Sequence, residues 1–168
     1  MNNYPSWYST LSSIGNNLQF NSPVPIFNFN QPMIITPSSN NNNNYPTIAK
    51  DFLVQYSSSS TLGISCIGNY YNSDTSCSIH VHQATNHILA EAIGHGNFKT
   101  KLEEIGITTM KYSNITYTAQ PLGKQSILIT YFGQVEINSK LYMFDSTIIL
   151  RLSIGTPKIA NHILQIFM

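Results

Sequence analysis

Ile127 to Leu152 reads ILITYFGQVEINSKLYMFDSTIILRL. In its first half Ile127, Ile129, Tyr131, Val135 and Ile137 keep to even spacings, the period that places side chains on one face of a strand. Asn138-Ser139 breaks the pattern with a pair suited to a tight hairpin turn. Leu141 to Leu152 then reads as the returning strand, and its apolar residues fall on both faces, which predicts burial on both. Downstream, Gly155-Thr156-Pro157 predicts another turn before a last strand through Phe167. Upstream, Ile107 to Ala119 is β-branched and aromatic, and Pro121 to Gly123 turns the chain.

The segment before these strands changes period. Pro46 suits a first helical turn, and Ile48, Phe52 and Tyr56 follow at four-residue spacing with Ala49 and Leu53 beside them. This predicts a short amphipathic helix stopped by Ser57 to Ser60. A second short helix is expected around Leu62, Ile67 and Tyr70. Thr75 to Gln83 alternates as a strand, with Cys77, Ile79 and Val81 opposite Ser78, His80 and His82. After a turn at Ala84 to Asn86, His87 to Ile93 is a second strand. A third helix is predicted from Asn97 as N-cap, with Phe98, Leu102 and Ile105 on its stripe and Gly106 at C′. Three short helices and then three long antiparallel strands define an α+β domain, helices on one face of a curved sheet.

Composition narrows the function classes. Of 168 residues 42% are apolar but only 9% charged, against about 25% in ordinary proteins, and the net charge is +1. That balance supplies no field for nucleic acid or an anionic membrane, and weak charge accompanies self-association. Nothing before Lys50 is charged, and prolines lead into the run Asn40 to Asn44, so residues 1–45 are expected to be a disordered Asn/Ser/Pro-rich tail and 46–168 the domain. Within the tail, Pro25 to Asn30 alone has the look of a short linear ligand. The first ten residues carry neither a basic n-region nor an apolar h-region, which predicts a cytoplasmic or nuclear protein. Cys66 and Cys77 read as reduced core thiols.

The order helix-helix-hairpin-helix and three long strands resembles the nuclear transport factor 2-like fold, a cone of three helices on a strongly curved antiparallel sheet. Asp51 to Tyr56 is similar to the family's first-helix segment, and Tyr70-Tyr71 with Thr75-Ser76 to the pair leading into its first strand. Thr118-Ala119-Gln120-Pro121, followed by Ile127 to Gly133, resembles a block of the eukaryotic transport factors, and Asn161-His162 stands where they have Asn-Asp. The resemblance covers about 120 residues, and its specificity lies in the order of the motifs.

That resemblance implies a homodimer packed sheet on sheet, for which Tyr131, Phe132, Tyr142 and Phe144 are the candidate interface aromatics. It also implies a slot for nucleoporin Phe-Gly repeats at the start of the first helix, with Tyr45 and Phe52 as the gripping residues. Binding of Ran-GDP is not expected. The acidic positions that hold Ran in the family align here with Val81, Asn138, Lys140 and His162. The implied function is a non-enzymatic dimerisation and peptide-binding module in protein import or mRNA export, with no cofactor. The fold also hosts isomerases and hydratases, so the alternative is an enzyme with a cavity around His162, Asp145 and His80. His80 and His82 with His87 across the hairpin offer zinc ligands only if a further ligand converges.

Overall fold

The computed structural model describes residues 45–152 and 156–168. The expected tail, with its Pro25 to Asn30 stretch, and Gly155 of the last turn lie outside them; Tyr45 alone of the tail is described, as the first residue of a helix. That helix, α1 (Tyr45–Leu62), is followed by a 3-10 segment (Ile64–Tyr70), strands β1 (Tyr71–His82) and β2 (His87–Ile93), helix α2 (Gly94–Glu104), and strands β3 (Lys111–Pro121), β4 (Ser126–Ile137), β5 (Lys140–Arg151) and β6 (Lys158–Phe167).

The serine run does not stop α1. Ser57 Oγ donates to Leu53 O at 2.7 Å, Ser58 to Val54 O at 2.8 Å and Thr61 Oγ1 to Ser57 O at 3.0 Å. Hydroxyls bonded back into the preceding turn stop competing for free backbone groups. Ser60 lies within reach of Met110 O at 2.9 Å, and the Met110 N–H donates to Ser60 O, so the helix end is tied to the chain entering β3. The helix ends at Gly63, whose φ of 140° suits glycine. α2 starts three residues before Asn97, because Gly94 takes φ 77° with Ser73 O only 2.9 Å from where a Cβ would stand. Asn97 sits inside the first turn and its Nδ2 donates back to Ile93 O. Gly106 fills the C′ position at φ 80°.

The six strands form one sheet in the order β2-β1-β6-β5-β4-β3. It is mixed, a correction to the expected antiparallel sheet: β1 and β6 pair in parallel, and every other neighbouring pair is antiparallel. The reason is α2, which carries the chain from the end of β2 to the start of β3 and so sets β3 parallel to β2. Three further reversals then bring β6 alongside β1 in the same direction. Asn138 and Ser139 take φ 51° and 62°, the left-handed pair of a type I′ turn, and close the β4–β5 hairpin at Ile137 and Lys140.

Helices α1 and α2 and the 3-10 segment cover one face of this sheet. On that inner face Cys77, Ile79, Ile127, Ile129, Tyr131, Phe144, Ile148, Leu164 and Ile166 pack against Phe52, Leu53, Tyr56, Ile67, Phe98 and Leu102 in one apolar cluster. Burial of such side chains contributes ~1.5–3 kcal/mol each. No element among the described residues covers the outer face.

Candidate functional site

The strand registers order the outer face into rows. One row runs Thr116, Phe132, Asp145, Gln165, His80 and Leu89 across the six strands. The next holds Gln134, Met143, Phe167, His82 and His87, and on the other side stand Thr130, Thr147, Ile163, Ser78 and Glu91. Phe132 is 49% exposed, Met143 45% and Leu141 57%, and Leu89, Ile93 and Ile163 are also exposed. The rest of these rows holds hydroxyl and amide side chains, the imidazoles of His80, His82 and His87, and the carboxylates of Asp145 and Glu91.

The four expected interface aromatics do not share that face. Phe132 lies on it, whereas Tyr131 and Phe144 are 1% and 2% exposed inside the core, edge to face at 5.5 Å. Tyr142 shares the inner parity of Phe144 and packs at the rim of the core. Alternation settles it, because neighbours in a strand point to opposite sides. The exposed apolar residues that sequence reasoning missed are Leu89, Ile93, Leu141, Met143 and Ile163. Their spacing was visible, but a strand apolar on both sides does not say which side is covered.

The expected cavity is divided by the same rule. His162 is inside, fully buried, and His80 and Asp145 are on the outer face. Around His162 the polar atoms form one chain. Tyr56 and Tyr71 hydroxyls are 2.8 Å apart, Tyr71 Oη is 2.8 Å from His162 Nδ1, and His162 Nε2 is 2.9 Å from Ser146 Oγ. Ser146 Oγ donates to Ile163 O at 3.1 Å. With that end fixed, each remaining donor finds one acceptor if His162 is the Nε2–H tautomer: Nε2–H donates to Ser146, Tyr71 to Nδ1, and Tyr56 to Tyr71. Phe98, Tyr71 and Tyr56 surround the imidazole at ring-centroid distances of 5.4, 6.0 and 6.1 Å. Burial holds its pKa down to about 3, so it is neutral and committed at both nitrogens. Burial also raises the Tyr56 and Tyr71 hydroxyls and pushes the Cys77 thiol up to about 12, which keeps all three protonated at neutral pH.

On the outer face Asp145 has one carboxylate oxygen, Oδ1, buried without a hydrogen-bond partner among the described residues; burial raises the pKa of the carboxyl, and the Ser146 backbone N–H, which donates to it, lowers it by less. His80, His82 and His87 lie together, with ring centroids 4.6 Å apart for His82 and His87 and 5.5 Å for His80 and His87. Their planes are nearly parallel, and Phe167 stacks on His82 at 4.8 Å. His80 Nε2 bonds Ser78 Oγ at 2.8 Å. Among the described residues no group of three or more His, Cys, Asp or Glu is placed to hold a metal ion.

At the start of α1, Tyr45 and Phe52 are two turns apart on one side of the helix. Tyr45 is half-buried against the core, and Phe52 is buried, stacked on Tyr56 at 5.8 Å and edge-on to Tyr70 at 5.5 Å. Phe52 backs a cleft of about 200 Å³ rimmed by Ile48, Asp51, Gln55, Tyr70 and Pro157; Tyr45 is not in its lining. No helix among the described residues is long and apolar enough to cross a membrane.

Comparison with known proteins places the fold. The chain superposes on nuclear transport factor 2 of Cryptosporidium parvum with a TM-score of 0.59 and 19% identity, covering 77% of this chain and 99% of that one. For the Candida albicans Mtr2–Mex67 M domain complex the TM-score is 0.61 at 12% identity, over 74% and 95% of the two chains. Yeast BRE5, a UBP3-associated protein, gives 0.52 at 22% identity, over 71% and 93%. A scytalone dehydratase-like protein of Novosphingobium aromaticivorans gives 0.51 at 13% identity, over 73% and 84%. The domain has the nuclear transport factor 2-like fold. No family model matches the sequence. An uncharacterized protein of Acanthamoeba polyphaga mimivirus is 29% identical over 133 residues, 73% of this chain, and the chain spans 64% of that relative's length.

Proposed function

We propose that this chain is a non-enzymatic dimerisation and protein-binding module: a homodimer through the outer sheet face that takes Phe-Gly-type hydrophobic peptides beside α1, in import or mRNA-export traffic between cytoplasm and nucleus. The observation that carries the reading is the outer face, which no described element covers and which exposes Leu89, Phe132, Leu141, Met143 and Ile163. Neighbours of the same fold are named for protein partnerships, Mtr2 with Mex67 and BRE5 with UBP3, which supports a partner-binding use of this scaffold. An enzyme of the dehydratase type is less well supported. His162, its inner candidate base, is bonded at both nitrogens, and Asp145 stands on the opposite side of the sheet.

Light scattering tests the dimer: the mass expected is twice 18.8 kDa, and a monomer at high concentration refutes it. Phe132→Lys is expected to yield monomers with an unchanged far-UV spectrum. The peptide site is tested by titrating Phe-Gly peptides and following amide chemical shifts around α1. Binding in the micromolar range is expected, weakened several-fold by Tyr45→Ala; absence of shift changes rules the site out.

A further inference from the structure

Asp145 is the lone carboxylate in the middle of the outer face, where it is half-buried. A carboxylate that a second copy covers is destabilising unless a donor meets it there. Its neighbours in the row are Phe132 and Gln165, and the next residue beyond Gln165 is His80. When Ser78 Oγ donates to His80 Nε2, the His80 proton sits on Nδ1 as a donor. Donor and acceptor thus share a row, one strand to either side of β6.

That spacing has a consequence for a two-fold dimer. Rotation about an axis along β6 keeps every row and exchanges the strands on either side, laying β1 over the partner's β5 and β2 over its β4. We propose that a second copy of this chain docks on the outer face with its two-fold axis along β6, so that Asp145 of each protomer meets His80 of the other. The proposal rests on the homodimer reading and specifies its register.

The rest of the face fits the same axis. Ile163 and Phe167 of β6 meet their own copies, Leu89 comes over the partner's Phe132, and Ile93 comes over the partner's Leu128. Packed sheets cross at about 30°, but one strand from the axis (~4.8 Å) this shifts the rows by only ~2.5 Å, less than one residue. The axis overlays five strands, β3 lying beyond the partner's β2, and five strands by four rows, at ~4.8 Å and ~6.7 Å per position, give roughly 650 Å² from each partner, toward the low end of a standard interface. Competing axes do worse. An axis along β5, or one across the strands through this row, sets Asp145 on the partner's Asp145. An axis between β5 and β6 sets it on Gln165, but places His80 on Phe132.

Cross-linking decides between them. Asp145→Cys and His80→Cys are made separately in the full chain with Cys66→Ser, since Cys66 is the exposed thiol. They are mixed to exchange protomers and treated with a short bis-maleimide. The mixture is expected to give a covalent dimer at least fivefold more abundantly than either variant alone, and Gln165→Cys alone is expected to cross-link with itself. Preferential self-linking of Asp145→Cys, or a dimeric mass with no link in the mixture, overturns the register and leaves the dimer standing. A monomeric mass for the unsubstituted chain overturns both. A cycle without new thiols checks it: Asp145→Asn and His80→Gln each raise the dimer Kd several-fold, and the double variant raises it no further. Additive losses overturn the pairing.

Discussion

His162 illustrates what a single buried group does to stability. Folding withdraws an imidazole from water and holds its pKa near 3, against 6.5 for the exposed group. The unfolded chain therefore binds the extra proton between these values and the native chain does not, so stability is fully present above pH 6.5 and falls as pH drops toward 3. The slope from this group is about 1.4 kcal/mol per pH unit. Urea midpoints between pH 7 and pH 5 are expected to fall for the unsubstituted chain, and His162→Gln is expected to flatten that dependence while lowering stability at pH 7. Tyr71→Phe removes the donor to Nδ1 and leaves the Tyr56 hydroxyl without its acceptor, at an expected cost of ~1–3 kcal/mol by denaturant melts. His162 was visible in the sequence as a candidate. Its commitment to Tyr71 and Ser146 was not, because those partners lie 91 and 16 residues away.

Among the elements, the β4 strand carries a glycine whose reason is packing. A Cβ at Gly133 would stand 2.6 Å from Asn114 O, in the irregular stretch of β3 where the register shifts between Ser113 and Thr116. Gly133→Ala must push backbone against backbone, and a loss of roughly 1–3 kcal/mol in chemical unfolding is expected. The hairpin after β4 runs the other way. Ser139 holds φ 62° without a glycine's freedom, so Ser139→Gly is expected to stabilise the chain by up to about 1 kcal/mol, read as a raised thermal midpoint. The turn at Asn138-Ser139 and the glycine at Gly106 were legible because left-handed backbone restricts residue choice. The length of α1 was not, since Ser57 to Ser60 favour a helix end when solvated and extend one when their hydroxyls find carbonyls.

At the scale of the molecule, the proposed dimer makes folding and association one equilibrium. The thermal midpoint is then expected to rise with protomer concentration, and Phe132→Lys to remove that dependence along with the dimer. A midpoint independent of concentration across a hundredfold range counts against the dimer. With so few charges on the chain, salt is expected to alter the association little.

The sequence by itself determined the α+β class, the long strands, the hairpin turn and the candidate residues His80, Asp145 and His162, because periodicity and turn chemistry are local properties. Only the tertiary structure decided which face of β5 the helices cover, since both of its faces are apolar and a two-residue period cannot choose between them. That choice put Tyr131, Phe144 and His162 in the core and left Phe132, Asp145 and His80 in one row outside. The parallel closure of β1 on β6 was likewise set by the path of α2, a long-range pairing that no local pattern carries.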